Sequence, residues 1–273
     1  MSEPKCRFVQ IADVHFVAEG EPDLTRTQVA ARLGDYRRAS RLANTMLRWA
    51  LEQIRDSIRP DFIAFTGDQV DIGWQEEGWA NHTAFRRLIS ESVNPETPVR
   101  YAFGNHDRPR ERFVELFGDS VYGFECNGCH FAVLDSGLMH RENGYDSPEL
   151  FEAGLAQLQE LLAKANGQPA AVLLHFWLYP SDVPDYSFPY AKRALQILQQ
   201  AGRSVPVFSG HLHRGGLSVF DTNLYFTARS FTEAPYAFYL HELSRERLTI
   251  YEYLFNPSTG RWWSWPRYRF DMR

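Results

Sequence analysis

The sequence predicts an α/β fold in which helices flank a mixed β-sandwich, and three observations support this prediction. In the first half of the chain, short apolar runs alternate with segments that have the period of amphipathic helices. From residue 217 onward, strand-like runs follow one another through short turns, as in an antiparallel sheet. Several apolar runs of the first half end at polar residues, which places those side chains at the carboxyl ends of strands, where open α/β sheets bind ligands.

The composition is typical of a folded protein of ordinary size. The 273 residues are 44% hydrophobic and 23% charged, which argues against disorder. A net charge of −5 provides no positive field, so no nucleic acid polymer is expected as a partner. No apolar run approaches about 18 residues, and hence we expect no membrane span. The N-terminus lacks the pattern of a signal peptide, which makes a cytoplasmic location the expectation.

The first strand is predicted over residues 7–13 and ends in Asp13-Val14-His15. Asp13 and His15 are two residues apart, so both side chains project to the same side while the chain stays extended. Residues 16–35 have no clear period. A helix is predicted over residues 36–58, where Pro60 ends it. Its apolar face consists of Leu47, Leu51, Ile54 and Ile58.

The next two strands also end in polar residues. The apolar run 61–65 stops at Thr66-Gly67-Asp68, and the run 98–103 leads into Asn105 and His106. Between them lie a loop with two tryptophans and a short predicted helix over residues 84–92. This order of strands and helices is typical of βαβ units.

Asn127-Gly128 between two strand-like runs predicts a type I′ hairpin. The flanking Cys126 and Cys129 have the spacing of a metal or redox pair. A zinc site would need a second pair of ligands, which the sequence lacks, so we interpret both cysteines as free thiols beside a turn.

The second half of this α/β region repeats the pattern. A helix is predicted over residues 148–164, closed by Asn166-Gly167, and a strand over 170–174 ends at His175. A further helix over 189–200 and a strand over 205–208 lead to His211 and His213.

We expect residues 1–255 to form one catalytic domain and residues 256–273 to form an aromatic C-terminal tail. Three tryptophans between residues 261 and 265 are too apolar to stay in water. The tail is therefore expected to pack on the domain or against a partner subunit, as in a homodimer.

Five strand ends thus carry the oxygen and imidazole donors that suit Mn, Fe or Zn. One ion is expected at Asp13, His15, Asp68 and His213, and a second at Asp68, Asn105, His175 and His211. Asp68 is the candidate bridge, because one carboxylate can span two ions roughly 3.5–4 Å apart. Each motif alone is more often structural, and the prediction depends on their joint occurrence.

Such a centre would activate a bridging hydroxide for attack on phosphorus. His106 follows a ligand directly, so it is expected to lie beside the ions and to protonate the leaving oxygen. Asp107 is expected to orient His106 or to keep it charged.

These five motifs resemble the signature blocks of the calcineurin-like metallophosphoesterase superfamily. The resemblance spans residues 13–213 and implies a four-layer α/β/β/α sandwich with mixed sheets, a dinuclear Mn, Fe or Zn centre, and hydrolysis of phosphate esters or pyrophosphates. Asp71 stands where purple acid phosphatases have a tyrosine ligand. Protein phosphatases have Arg-Gly-Asn-His-Glu where this chain has Phe103-Gly104-Asn105-His106-Asp107. No ligand of the pattern is missing, which argues against the metal-depleted scaffolds of the superfamily.

Within the superfamily the pattern is most similar to class III cyclic-nucleotide phosphodiesterases and to manganese-dependent ADP-ribose/CDP-alcohol pyrophosphatases. The resemblance implies a phosphodiesterase for a small nucleotide-type substrate. The alternatives are a pyrophosphatase and a non-catalytic, metal-bearing interaction module that docks through the tail. Nearby aromatic residues either stack on a base or fill core and lid space: Trp74, Trp79 and Phe176-Trp177-Leu178-Tyr179. Four arginines are candidates to hold a second phosphate: Arg37, Arg38, Arg108 and Arg214.

Overall fold

The computed structural model describes residues 5–20, 24–35, 37–137, 139–140, 144–145, 147–178 and 190–272. The strands are β1 (Lys5–Ile11), β2 (Phe62–Thr66), β3 (Val99–Ala102), β4 (Tyr122–Cys126), β5 (Cys129–Val133), β6 (Met139–His140), β7 (Gly144–Tyr145), β8 (Ala170–Leu173), β9 (Val207–Ser209), β10 (Arg214–Phe220), β11 (Asn223–Arg229), β12 (Ala237–Ser244), β13 (Arg247–Asn256) and β14 (Arg261–Asp271). The α-helices are α1 (Arg26–Arg32), α2 (Ala43–Gln53), α3 (Glu77–Ser92), α4 (Arg110–Phe117), α5 (Pro148–Ala165) and α6 (Ala191–Gln199).

Two six-stranded mixed sheets form the centre of the fold. The first has the order β14-β13-β12-β1-β2-β3, and the second has the order β10-β11-β9-β8-β5-β4. Strands β1, β2 and β3 are parallel, as are β5, β8, β9 and β11. The remaining pairings in these sheets are antiparallel. The parallel strands β1, β2 and β3 of the first sheet, and likewise β5, β8 and β9 of the second, therefore have their carboxyl ends at one edge of their sheet.

The sheets pack face to face through aromatic side chains. Phe8 and Phe62 of the first sheet stack at 4.9 Å between ring centroids, and both meet Phe131 of the second sheet edge to face at 5.6 and 5.0 Å. Phe208 of β9 packs on Phe8 at 5.2 Å. All four rings are buried, and burial of each contributes about 2–3 kcal/mol of transfer free energy.

Helices cover both outer faces. Leu47 of α2 shares an apolar cluster with Ile63 of β2, and Leu158 of α5 and Leu195 of α6 pack with Val172 of β8. The layers are therefore helix, sheet, sheet and helix, which confirms the four-layer α/β/β/α fold expected from the sequence. Strand β2 is buried along its whole length, and this explains why it is a continuous apolar run rather than an alternating one.

The helices differ from the predictions mainly at their ends. Helix α3 begins at Glu77, seven residues before the predicted start at position 84, because Gly78 and the exposed Trp79 obscure the apolar period of its first turns. Helix α4 was not predicted; it is short, and Phe113 is its only buried side chain among the described residues. The helix predicted over 36–58 begins at Ala43 and ends in a π-helical turn; residue 36 lies outside the described residues.

The hairpin and the C-terminal segment are both clearly defined. Asn127 and Gly128 have φ values of 51° and 76°, as a type I′ turn requires. The segment expected as a tail forms the edge strand β14, paired antiparallel with β13. Trp262 is buried there, whereas Trp263 and Trp265 are exposed. Among the described helices, none combines the length and the apolar character needed to cross a membrane.

Candidate metal centre

The residues predicted as ligands meet at one edge of the sandwich. The loops that carry them follow β1, β2, β3, β8 and β9, whose carboxyl ends lie side by side. The structure thus brings together all seven predicted ligands: Asp13, His15, Asp68, Asn105, His175, His211 and His213.

Two glycines allow these loops to approach one another. A Cβ atom on Gly67 would lie 2.2 Å from Nδ1 of His175, and one on Gly104 would lie 2.2 Å from the backbone nitrogen of Asp68. Both contacts are far inside van der Waals distance. The Gly-Asp and Gly-Asn motifs therefore belong to the packing of the centre, because only a residue without a side chain fits at either position.

Four of the predicted ligands have left-handed backbone conformations. The φ values are 52° for Asp13, 47° for His15, 51° for Asp68 and 68° for His211. Such conformations cost about 1–3 kcal/mol each and cluster at functional sites. Hydrogen bonds between the loops hold them, among them His15 N to Asp68 O at 3.0 Å and Asp13 N to Gly67 O at 3.1 Å.

The first group of donor atoms surrounds Nε2 of His15. This nitrogen lies 3.1 Å from Nε2 of His213 and 3.7 Å from Oδ2 of Asp68. Nε2 of His213 lies 3.5 Å from Oδ1 of Asp13. All four residues offer donor atoms within 4.8 Å of one another.

The second group surrounds Nε2 of His175. Oδ1 of Asp68 lies 3.3 Å from this nitrogen, Oδ1 of Asn105 lies 3.0 Å from it, and Nδ1 of His211 lies 3.2 Å from it. The two carboxylate oxygens of Asp68 therefore face different groups, Oδ2 the first and Oδ1 the second.

This spacing fits metal coordination. Donor atoms bound to one cation at about 2.1 Å are separated by roughly 3.0–3.4 Å, depending on the geometry. The closest separations within both groups are of that size. Imidazole and carboxylate donors are also the chemistry that Mn, Fe and Zn accept. The residues present therefore fit the metal ions that the sequence implies.

The outward nitrogens of His15, His175 and His213 are held by acceptors, as in known metal sites. Nδ1 of His15 lies 3.3 Å from Oδ1 of Asp71, and Nδ1 of His213 lies 2.7 Å from Oε1 of Glu233. Nδ1 of His175 lies 2.9 Å from the carbonyl oxygen of Thr66. These contacts direct the other ring nitrogen of each histidine into the centre.

Glu233 was missed in the sequence. It lies in the loop between β11 and β12, 20 residues after His213 and outside all five predicted motifs. The only available signal was a charged residue in the otherwise apolar and small segment Phe231-Thr232-Glu233-Ala234, directly after a strand. One carboxylate in a loop has too many ordinary explanations for that signal to be decisive.

The buried carboxylates and histidines of the centre shift one another's pKa values. Burial acts to raise the pKa of Asp68, but the positive charges of His175, His106 and His15 outweigh it and hold this pKa well below the usual range. Burial acts to lower the pKa of His175, but Asp68 and Asp13 raise it to about 9. The ionised, buried carboxylates of this cluster are therefore stabilised by neighbouring positive charge, and a bound cation would supply such charge.

His106 lies at the rim of the centre. Its backbone nitrogen donates to Oδ1 of Asp68 at 2.8 Å, and its ring meets His15 edge to face at 4.7 Å. Nδ1 of His106 lies against the carbonyl oxygen of Asp71. The ring also lines a cleft of about 700 Å³ in front of the donor atoms.

The Asp107 side chain faces backbone amides instead of the His106 ring. It is buried, and its oxygens accept hydrogen bonds from Gly104 N at 2.9 Å and Val70 N at 3.2 Å. Burial and the neighbouring Asp68 carboxylate raise its pKa well above the usual value. Asp107 thus joins the loop after β3 to the loop after β2, and the acceptor for His106 is the Asp71 carbonyl.

The aromatic residues near the centre have different positions. Trp177 lines the cleft, together with Arg37, Arg38 and Arg214. Phe176 is buried against His211 at 4.3 Å between ring centroids. Tyr179 lies outside the described residues. Of this segment, Trp177 is therefore the described ring that faces the cleft.

The two tryptophans after β2 have arginine neighbours. The guanidinium of Arg108 lies 4.0 Å from the ring centroid of Trp74, and that of Arg112 lies 5.4 Å from that of Trp79. Trp74 also lies 5.4 Å from His106. Arg108 is thus packed on an indole, whereas Arg37 and Arg214 are exposed at the cleft.

The comparisons with known proteins concern the family and the fold. A family model of the calcineurin-like phosphoesterases matches residues 6–215. A dimetal phosphatase from Danio rerio has 18% sequence identity and a TM-score of 0.67, over 91% of this chain and 96% of that chain. GAP50, the anchor in the inner membrane complex of Plasmodium, has 15% identity and a TM-score of 0.59, over 99% and 89%. PhoD has 11% identity and a TM-score of 0.55, over 99% and 70%.

At these identities the likeness to solved structures shows the fold alone. No curated protein sequence matches the chain.

Proposed function

The chain belongs to the calcineurin-like phosphoesterase family, and on that basis we propose that it is a two-metal phosphodiesterase for a small nucleotide-type phosphodiester. The broader class, a metal-dependent phosphoesterase, follows from the family and from the clustered donor residues. The number of ions, the residue roles and the substrate are our proposal.

One observation carries the two-metal proposal. The oxygens of Asp68 face separate groups of donors, at 3.7 Å from His15 Nε2 and at 3.3 Å from His175 Nε2. A single carboxylate in that position can serve two cations at once. One ion would be held by Asp13, His15, Asp68 and His213, and the other by Asp68, Asn105, His175 and His211. Bound there, the cations would lower the pKa of water and neutralise charge on the phosphate.

His106 is the proposed proton donor. The Asp71 carbonyl oxygen lies against Nδ1 of His106, which orients the ring so that Nε2 is the nitrogen left for the substrate. An alkoxide leaving group of a phosphodiester is a poor one until it is protonated, and His106 at the cleft wall is suited to supply that proton. Asp107 acts as a positioning residue in this proposal, because it joins the two loops that carry Asp68 and His106.

The cleft supports a nucleotide-sized substrate. Its volume of about 700 Å³ is in the range of small-molecule sites. Trp177 offers a ring on which a base can stack, and base–aromatic stacking is tolerant of base identity. Neither feature selects a cyclic nucleotide among small diesters, and that choice depends on the family resemblance.

A second candidate is hydrolysis of a nucleoside-diphosphate linkage. The exposed Arg37 and Arg214 favour it, because they add positive charge to the cleft beyond the proposed metal ligands. A second phosphate would be held by such side chains.

Product analysis distinguishes the two candidates. The manganese-loaded protein is incubated separately with cyclic AMP and with ADP-ribose, and a chelated sample serves as the control. AMP from cyclic AMP alone supports the phosphodiesterase, whereas AMP with ribose phosphate from ADP-ribose alone supports the pyrophosphatase. If the folded, metal-loaded protein turns over neither nucleotide and also leaves an activated nitrophenyl diester intact, the proposed function is wrong.

The homodimer remains a proposal as well. Trp263 and Trp265 on the edge strand β14 are 57% and 48% exposed, so they are available to a second copy. Sedimentation velocity of the protein and of a Trp263→Ser/Trp265→Ser variant tests it. A monomer at all concentrations would contradict the dimer.

A further inference from the structure

The three cysteines of the chain lie near one another at the end of the sandwich remote from the metal centre. Cys6 is at the start of β1, Cys126 is at the end of β4, and Cys129 begins β5. Because β1 delivers Asp13 at its opposite end, the cysteines are roughly 20 Å from the centre, about seven residues of extended strand. The function proposed above does not involve them.

Asp61 completes the group. One sulfur each of Cys6 and Cys126 and a carboxylate oxygen of Asp61 all lie within 4.8 Å of one another. The sequence contains no second Cys-x-x-Cys pair to complete the Cys126-x-x-Cys129 motif. The fold supplies two further donors there, since β1 and the residue preceding β2 lie next to the hairpin.

The backbone holds these donors in place. Oδ2 of Asp61 accepts a hydrogen bond from Arg7 N at 2.7 Å, and Asp61 N donates to Arg7 O at 2.7 Å. Cys126 directly precedes the type I′ turn and pairs with Cys129 across it. All three free thiols are thus carried by regular strands, and none sits in an irregular loop.

We propose that Cys6, Asp61 and Cys126 form a second type of cation site, for a thiophilic divalent ion such as Zn²⁺. Two sulfurs on one tetrahedral zinc lie roughly 3.8 Å apart, which is consistent with the proximity of these thiols. On binding, each thiol releases its proton to solvent and each sulfur forms a bond to the cation. Cys6 is buried, whereas Cys126 and Asp61 are partly exposed, so a cation can enter from solvent and keep an outer position for water.

Cys129 is excluded from the ligand set. Its buried Sγ lies 3.8 Å from the carbonyl oxygen of Leu243, in strand β12. It is therefore the matched control: a cysteine of the same hairpin, adjacent to the site, whose sulfur has another partner.

Such a cation would connect the two sheets. Cys6 and Asp61 belong to β1 and to the connection before β2 in the first sheet, whereas Cys126 belongs to β4 in the second. A bond through one ion would add a covalent-strength link between β1 of the first sheet and β4 of the second. Cation binding at this site is thus expected to raise the midpoint of thermal unfolding, independently of phosphoesterase activity.

Cobalt titration tests the site directly. Sulfur ligands give Co²⁺ an intense thiolate-to-metal charge-transfer absorption, which the nitrogen and oxygen donors of the other centre do not produce. The full-length protein is stripped of metal, fully reduced and titrated with Co²⁺. We expect a charge-transfer band in the native protein and in Cys129→Ser, and no band in Cys126→Ser. In Asp61→Asn we expect the affinity for Co²⁺ to be at least about tenfold lower than in the native protein.

Two features keep the test decisive. Cys126 is partly exposed beside a turn, and the amide oxygen introduced by Asp61→Asn can still accept from Arg7 N, so both variants are expected to fold with cooperative thermal transitions. A band that is absent from the reduced, folded native protein, or that persists in Cys126→Ser, would overturn the proposal. Formation of a Cys6–Cys126 disulfide under air, with no cobalt band after reduction, would overturn it too. Nucleotide hydrolysis by Cys126→Ser should stay at the native level in every case.

Discussion

Oε1 of Glu233 lies 2.7 Å from Nδ1 of His213, on the opposite side of the imidazole from Asp13, whose Oδ1 lies 3.5 Å from Nε2 of the same ring. Arg38 extends this contact into a network. Its Nε donates to the same oxygen of Glu233 at 3.1 Å, and its Nη1 donates to Asp71 at 3.0 Å. One guanidinium therefore holds both carboxylates that orient the histidines of the first donor group.

Replacing Glu233 with glutamine should weaken metal binding at the first donor group. The amide has no negative charge to hold the Nδ1 proton of His213, so the ring is a weaker and less fixed ligand. Outer partners of this kind are worth about 10–100-fold in metal affinity or activity. We expect activity of Glu233→Gln to need about 10–100-fold more Mn²⁺ for half-maximal rate and to recover at saturating Mn²⁺.

Glu96→Gln is the matched control, because Glu96 is exposed in a turn remote from the centre. An unchanged Mn²⁺ requirement in Glu233→Gln would mean that the contact with His213 has no role in metal binding.

Asp68→Asn should remove metal and activity together. The amide oxygen can still accept from His106 N, which preserves the loop, but the amide nitrogen takes the place of one carboxylate oxygen and cannot bind a cation. Metal content by mass spectrometry and hydrolysis of a nitrophenyl diester are measured on the same sample. The exposed Asp119→Asn serves as the control. Full metal content in Asp68→Asn would contradict the bridging role.

The sequence was sufficient to predict the layers of the fold and the meeting of the ligands. The reason is physical: in parallel strands the carboxyl ends coincide, so polar residues after several apolar runs must converge. His175 illustrates this. A lone histidine after residues 170–174 does not predict a metal ligand, and it becomes a candidate only because Asp68 and His211 also follow predicted strands.

Contacts between distant segments were not predictable in the same way. Glu233 and Arg38 are 195 residues apart and meet only because the loop after β11 folds over the segment before α2. The position of the Asp107 carboxyl is a second example. Its sequence neighbour is His106, yet its hydrogen bonds go to backbone nitrogens, a preference that depends on which groups are left without partners after folding.

His106→Ala should affect substrates according to their leaving groups. Loss of a general acid reduces the rate by about 10²–10⁴ when the leaving group is an alkoxide. The loss should be smaller for a nitrophenolate, which leaves without a proton. Metal content should stay near normal, because the ring is not a proposed ligand. Equal losses for a nucleotide diester and a nitrophenyl diester would show that His106 is not the acid.

The stability of the metal-free protein should decrease in acid because of His241, which lies between the sheets. Its ring packs 4.7 Å from Phe8 and 4.5 Å from Phe208, and Nε2 lies 3.0 Å from Oε1 of Gln10. Burial lowers the pKa of His241 to about 3, whereas the pKa in the unfolded chain is about 6.5.

Below that value the unfolded chain binds a proton that the folded protein does not, so the free energy of unfolding falls as pH falls from about 6.5 toward 3. From roughly pH 7 to pH 5 this one group accounts for about 2 kcal/mol. Urea unfolding at the two pH values, with chelator present, should show His241→Gln losing about 2 kcal/mol less than the native protein. The contributions of other buried histidines, such as His82, cancel in this comparison because both proteins contain them. Equal losses of unfolding free energy in the two proteins would contradict a buried neutral His241.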